Sequence, residues 1–243
     1  MSTWLFDLGN TRLKCAPLDA GGPGATVAIA HDGAGFAPDW EQRLPTRLKL
    51  ACIASVAAPA LTVALLDTLA RRCDRIAIVR TQAALGGVRI AYAEPRRLGV
   101  DRFLALLAAH ARAASPALVV GVGTALTIDL LDGDGRHRGG RIAPSPALMR
   151  SALHARAPQL PREGGAYAEF ADDTAAALAS GCEGAALALV ERSLAQAGEQ
   201  LGAQPRLLLH GGGAAPLQAR LAQAVEAPAL VLEGMACWLG AVA

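Results

Sequence analysis

The stretch DLGNTRLK, residues 7–14, decides the fold. It sits directly behind the apolar run Trp4–Leu5–Phe6 and places an acid, a glycine, two small polar residues and a lysine within eight positions. Thr3 to Leu8 reads as one strand and Arg12 to Leu18 as a second, so the two form a hairpin. A glycine turn lets backbone N–H groups approach an anion closely. Asn10 and Thr11 add side-chain donors, and Lys14 adds a mobile positive charge that can reach a terminal phosphate. Asp7 cannot face a phosphate without repulsion. It is placed to hold a magnesium ion through water, with the metal bridging phosphate oxygens. The loop thus has the parts needed to grip the tail of ATP. It is not a Walker loop, because the GxxxxGK pattern is absent and a strand follows the turn. Gly and Asn are also ordinary turn formers, so the loop read alone is equally a plain hairpin turn.

A similar unit recurs about half a chain later. FDLGNTRLK and VGVGTALTI each consist of an apolar strand, a glycine turn with a threonine, and a second strand. Two halves that each open on a phosphate-sized hairpin predict a duplicated α/β domain, residues 1–115 and 116–243, with a nucleotide cleft between the halves. A third glycine loop, Gly211–Gly212–Gly213, follows the strand RLLLH at 206–210. Between these landmarks, 50–55 and 75–80 read as buried strands flanking a helix from Pro59 to Arg72, and 88–92 as a short strand. Residues 99–114 form a strong helix, since Phe103, Leu106, Leu107 and His110 recur at helical spacing. A short strand closes at Ile142, and helices follow at 146–155 and within 172–201. The chain then reads as a helix at 216–225, a strand at 229–232 and a helix at 235–242. The segment 21–45 mixes Gly, Pro and Asp with short apolar pieces and gives no clear strand.

The 243 residues are 53% hydrophobic, ample for a buried core, and 4% aromatic, so the core is aliphatic. A net charge of +2, with basic residues scattered, argues against nucleic acid or an anionic membrane as partner. The five cysteines, Cys15, Cys52, Cys73, Cys182 and Cys237, show no CxxC spacing and no surrounding ligand cluster. A reduced, cytoplasmic protein fits that pattern. The first ten residues lack a basic leader and meet Asp7 too soon for a signal peptide. The uncharged stretch 50–66 is interrupted by Ser55 and Pro59 and is short for a membrane span.

YAEPRRLGVDR, residues 92–102, is the second informative stretch. Asp101 stands near the start of a helix with Arg102 beside it. Acids favour the first turn of helices by capping and dipole effects alone. The functional reading makes Asp101 the base that accepts a proton from a substrate hydroxyl, kept ionised by its place at the helix end. Phosphoryl transfer needs little more, because positioning and charge neutralisation dominate it. Arg102 could fix a carboxylate on the acceptor, and Tyr92 could wall its pocket. The histidines say less. His110 reads as a core residue on an apolar helix face, and His31, His137 and His154 have no triad partners. His210, before the triple glycine, reads as a strand-end residue within reach of a nucleotide. No zinc spacing exists.

Taken together, these motifs resemble the type III pantothenate kinases, which include the Bvg accessory factor group, within the actin-like superfamily of acetate kinase and hsp70. The resemblance runs in order along nearly the whole chain. DLGNTRLK is similar to the family's DxGNTxxK, and residues 92–102 to its pantothenate motif. GVGTALTID at 121–129 resembles DxGTAxTxD, GGRIAPS at 139–145 resembles GGxIxPG, and DTAAALASG at 173–181 resembles NTxxAxxxG. The resemblance implies transfer of the ATP γ-phosphate to the primary hydroxyl of pantothenate, the first step of coenzyme A synthesis. It implies ATP contacts from Asp7, Leu8, Gly9, Asn10, Thr11, Arg12, Leu13, Lys14 and Thr124. It implies pantothenate contacts from Tyr92, Gly99, Val100, Asp101, Arg102 and Thr174, with Asp101 as proton acceptor. It also implies a homodimer, with Thr174 acting across the interface, and a monovalent cation, potassium or ammonium. Three positions depart from the pattern. Gly121 stands where the family has the aspartate associated with that cation, which puts the cation in question. Ser145 replaces the glycine of the PG pair, and Asp173 replaces an asparagine. Two other readings stand beside the kinase: a non-catalytic regulatory factor acting through a protein partner, and a related kinase for another small hydroxy acid.

Overall fold

The computed structural model describes residues 2–242. It divides into two compact units. The first runs to Ala114 and takes in the chain again from Ala229, and the second is Ser115–Pro228. The last helix, which sequence order assigns to the C-terminal half, is thus part of the first unit.

In the first unit, strands β1 (Thr3–Leu8), β2 (Arg12–Asp19), β3 (Gly22–Pro23), β4 (Val27–Ala30), β5 (Leu48–Ser55) and β6 (Cys73–Ile78) form one sheet in the order β3-β2-β1-β5-β6, with β4 also on β2. β1 is central. It pairs antiparallel with β2 and parallel with β5, so both of its edges are hydrogen-bonded. Leu5 and Phe6, neighbours pointing opposite ways, are both fully buried, because helices cover both faces of the sheet. Phe6 and Leu8 join Leu13, Ile53 and helix α1 (Pro59–Ala70) through Leu61, Leu65 and Leu69. The opposite face of the sheet meets helix α2 (Val100–Arg112) and the C-terminal helix (Leu230–Val242), which also pack on each other. Between α1 and α2 lies a small hairpin, β7 (Ala84–Leu85) and β8 (Val88–Arg89). The expected strand at 88–92 is therefore only its first two residues.

The second unit repeats the plan. Strands β9 (Ala117–Val122), β10 (Ala125–Leu131), β11 (His137–Pro144), β12 (Arg206–His210) and β13 (Ala224–Glu226) run in the order β11-β10-β9-β12-β13. The central strand again pairs antiparallel with its hairpin partner and parallel with the strand on its other side. β12 and β13 are parallel, as β5 and β6 are. The duplication suggested by two short glycine hairpins thus extends to whole sheets. Helices α3 (Pro146–Arg156) and α4 (Thr174–Leu201) follow β11, and the short α5 (Ala215–Gln218) follows β12. α4 buries Ala186, Val190, Leu194 and Ala197 against β9 and β10.

Two further local expectations fail. The helix expected at 216–225 is four residues long, and a strand begins at Ala224. Residues 229–232, expected as a strand, lead into and form the first turn of the C-terminal helix. The unread segment 21–45 holds β3, β4 and a turn of 3-10 helix at Trp40–Arg43. All five cysteines are unpaired. Residues 50–66 are β5 and the start of α1, and no helix among the described residues is long and apolar enough to cross a membrane.

Candidate functional site

The site in the first unit is built where the parallel strands β1 and β5 reach their carboxyl ends. Asp7 is the penultimate residue of β1 and lies directly across from Lys14 on β2. Directly opposed residues of an antiparallel pair project to the same face, so the acid and the lysine share one side of the hairpin. Leu8 and Leu13 flank them with fully buried side chains. What those two can offer a ligand is backbone alone. The turn between them is closed by the Gly9 N–H donating to the Arg12 carbonyl at 3.0 Å. Asn10, Thr11 and Arg12 are exposed on it.

Asp101 arrives from α2. Gly99 caps that helix, and Asp101 lies in its first turn, where the helix dipole favours an anion. Its Oδ1 accepts the Arg102 backbone N–H at 2.8 Å. The carboxylate folds back over Gly99: a Cβ there would lie 2.6 Å from Oδ1. Any larger residue at 99 must push the carboxylate aside. Arg102 is buried, with its guanidinium 5.9 Å from the Tyr92 ring centroid and Nη1 3.4 Å from the Tyr92 hydroxyl. The structure therefore brings Asp7, Lys14 and Asp101 into one electrostatic group, with Tyr92, Gly99, Val100 and Arg102 on the Asp101 side.

Burial first, and the negative charge of Asp101 second, push the Asp7 carboxyl up from 3.8 to about 7, against the pull of Lys14. A buried carboxyl in the field of a second carboxylate shifts in this direction, and the charge of Lys14 offsets it only in part. Such a pair fits a divalent cation of the magnesium type, which takes one or two carboxylates and completes its shell with phosphate oxygens and water. Among the described residues no cluster of three or more His, Cys, Asp or Glu offers an alternative metal cage. The linkage has a definite sign. The unfolded chain holds the Asp7 proton only below about pH 4, whereas the folded chain holds it to about pH 7. The resulting stabilisation is complete below pH 4 and is lost as the pH rises through 7. The Tm of the metal-free protein should accordingly fall between about pH 5 and 8 through this group, and Asp7→Asn should flatten that part of the profile. Identical slopes in the two proteins would assign the titration elsewhere.

The second unit presents the other hairpin, closed by the Gly123 N–H donating to the Ala125 carbonyl at 2.9 Å. Thr124 is exposed at its tip. Ser145, whose effect the sequence left open, has a clear structural part. Its hydroxyl donates to the Thr124 carbonyl at 2.9 Å and accepts the Leu148 N–H at 3.3 Å, capping α3. Asp173 caps α4 by accepting from Ala175 and Ala176 at 2.9 and 3.0 Å, and Thr174 is the exposed first residue of that helix. Asparagine could supply the same cap, so this departure costs little. Gly121 lies between Thr127 on β10 and His210 on β12. A Cβ at 121 would meet Thr127 Oγ1 at 2.7 Å and His210 Nε2 at 2.9 Å. The place a side chain would occupy is already taken by a hydroxyl and an imidazole. Gly211 (φ 100°) and Gly213 both lie against Val122, with the Gly213 N–H donating to its carbonyl at 3.0 Å. The triple glycine is thus a close-packing device beside the hairpin. Sequence reasoning singled out Ser145 but not its contact with Thr124, and it missed Thr127, because these partners lie across strands rather than beside them in the chain.

The family model of type III pantothenate kinases matches residues 4–196. A type III pantothenate kinase of Stenotrophomonas maltophilia is 60% identical over 238 residues, covering 98% of this chain and 97% of its own. One from Xanthomonas campestris pv. campestris is 58% identical with the same coverage. Among solved structures, a Baf family protein from Campylobacter jejuni superposes with a TM-score of 0.62 at 20% identity, covering 96% of this chain and 95% of that one. An archaeal actin homolog gives 0.53 at 8% identity, covering 99% of each chain. At those identities the structural likeness speaks to fold alone, and the fold is the duplicated actin-like one. A family match along most of the chain, with relatives of this identity across nearly all of it, makes the chain a member of the type III pantothenate kinase family.

Proposed function

We propose that the protein is an ATP-dependent pantothenate kinase that makes 4'-phosphopantothenate, the first step of coenzyme A synthesis. The observation that carries this reading is the meeting of Asp7, at the carboxyl end of β1, with Asp101, in the first turn of α2. Two acids in the same field have two tasks. Asp7, opposed by Lys14, faces the metal-bound phosphates. Asp101, with Oδ1 held by the Arg102 N–H at the start of α2, serves the acceptor. As the primary hydroxyl oxygen of pantothenate bonds to the γ-phosphorus, its proton passes to Asp101 and the bond to the ADP oxygen breaks. Lys14 and the Asn10 and Thr11 amides of the turn hold phosphate oxygens, and Thr124 adds a contact from the second hairpin. Tyr92, Gly99, Val100, Arg102 and Thr174 hold the acceptor. Asp7 would hold magnesium through water, and the metal would supply charge neutralisation on the transferring group. A regulatory role without catalysis draws no support from a chain that retains both acids in this arrangement.

The decisive assay combines the purified protein with ATP, magnesium and a panel of small hydroxy acids. Pantothenate-dependent release of ADP and appearance of 4'-phosphopantothenate are expected. A different acceptor turned over in preference would leave the kinase and remove the substrate.

Potassium need not enter this reaction. Gly121 offers no ligand, and Thr127 and His210 fill its side-chain space. The same kcat is expected with potassium present or replaced by a bulky organic cation. A strict requirement would mean that other oxygens hold the ion.

The working form is a homodimer. In the second unit Ile142 is 66% exposed and Phe170 fully so, with Leu148 and Leu153 also exposed. Leu148 and Leu153 border an apolar hollow of about 620 Å³, with Met149, Leu178 and Cys182. Exposed aliphatic area of this kind is what a second copy would cover. Five unpaired thiols suit a reducing cytoplasm.

A further inference from the structure

His31 follows β4 at the edge of the first sheet and has no part in the chemistry above. Its backbone N–H donates to the Thr11 carbonyl at 3.2 Å. Its ring spans two loops: Nε2 lies 2.9 Å from the Gly9 carbonyl oxygen, and the Gly33 N–H reaches Nδ1 at 3.1 Å. A backbone N–H can only donate, so Nδ1 is the acceptor and the proton is on Nε2, which donates to Gly9. The ring is held in that attitude. Phe36 meets it edge-on at 5.6 Å, and Phe36 in turn stacks on Trp40 at 4.0 Å. The loop carrying Gly33 is itself tied down, with Asp32 Oδ1 accepting the Ala34 and Gly35 N–H groups at 2.9 and 2.7 Å.

A trans peptide points the carbonyl of one residue and the N–H of the next in opposite directions. Drawing the Gly9 carbonyl toward His31 therefore turns the Asn10 N–H away from the imidazole. A glycine-led turn is otherwise free to flip that peptide, which would present a carbonyl dipole to an anion.

We propose that His31 is a positioning residue for the nucleotide: its imidazole fixes the Gly9–Asn10 peptide so that the Asn10 N–H faces a phosphate oxygen and the Gly9 carbonyl does not. This rests on the reading of residues 7–14 as the phosphate-gripping hairpin. The substitutions His31→Ala, His31→Gln and His31→Asn separate donor from bulk. Glutamine places an amide N–H where Nε2 was, and asparagine reproduces only the Nδ1 side. With Ala and Asn, the KM for ATP should rise about fivefold to tenfold, the net size of one hydrogen bond. kcat and the KM for pantothenate should stay near wild type, and Gln should restore the ATP KM. Equilibrium binding of ADP, with no chemistry involved, should weaken in parallel. Lys14→Ala serves as the reference for the hairpin. If Lys14→Ala weakens ADP and His31→Ala does not, this inference falls and the hairpin stands. If neither does, the hairpin reading itself falls, and the inference with it. A Gln variant as weak as Ala, or an Ala variant that loses kcat, pantothenate affinity and Tm together, would also overturn it.

Discussion

Asp101→Asn is expected to lower kcat by about 10²–10⁴-fold, the usual contribution of a positioned base, while leaving Tm nearly unchanged. Asparagine keeps an oxygen where Oδ1 accepts the Arg102 N–H, so the start of α2 is undisturbed. What disappears is the group that takes the hydroxyl proton. The same substitution removes the second cause of the Asp7 shift, so the pH slope of Tm assigned to Asp7 should shrink in this variant. The two readouts are independent, since one needs substrates and the other needs none. A kcat within twofold of wild type would remove Asp101 as the base. A slope that survives intact would mean the two carboxylates do not share a field.

The second large effect is on stability. Gly234, in the C-terminal helix, lies against the carbonyl of Leu104 on α2, and a Cβ there would collide with that backbone. No side-chain rotation relieves a contact with a main-chain oxygen, so Gly234→Ala must part the two helices. Overpacking of this kind costs about 2–3 kcal/mol, which for a chain of this length lowers Tm by roughly 5–10 °C. Gly240, six residues further along the same helix, provides the control. A Cβ there meets nothing within 4 Å. Gly240→Ala should be neutral or stabilising by up to about 1 kcal/mol, the ordinary helix preference for alanine. Differential scanning fluorimetry of the pair decides the matter, and equal shifts would show that the close approach is not what holds the helices. Because α2 carries Asp101, Gly234→Ala should also cost activity at temperatures below its own Tm.

The parts of this fold that could be read from sequence are those whose signal is local. β1 and β2 show as apolar strands split by a glycine turn, and α2 as a helical stripe of Phe103, Leu106 and Leu107. Asp7 and Asp101 stand out as candidates because each sits at a boundary, one at a strand end and one at a helix start. Ala229 to Leu232 misled because a short aliphatic run fits a buried strand and a helix equally, and nothing in it breaks either. β4 escaped notice because a four-residue edge strand has too little alternation to stand out from its glycines. The contacts that refine the site join residues far apart in sequence. His31 reaches back 22 positions to Gly9, and Ser145 reaches 21 to Thr124. His210 covers Gly121 across a parallel strand pair. Such contacts are created by sheet register, which no window of the chain contains.

The C-terminal helix belongs to the body that the N-terminus begins, and this orders events on the ribosome. Residues 115–228 can emerge and fold as a body while the earlier one still lacks a wall. Until Leu230, Val231 and Met235 leave the exit tunnel, the apolar back of β1 and α2 has nothing permanent to cover it. Nascent chains in that condition are the kind that holding chaperones bind. The middle of this polypeptide should therefore gain protease resistance during translation before its beginning does.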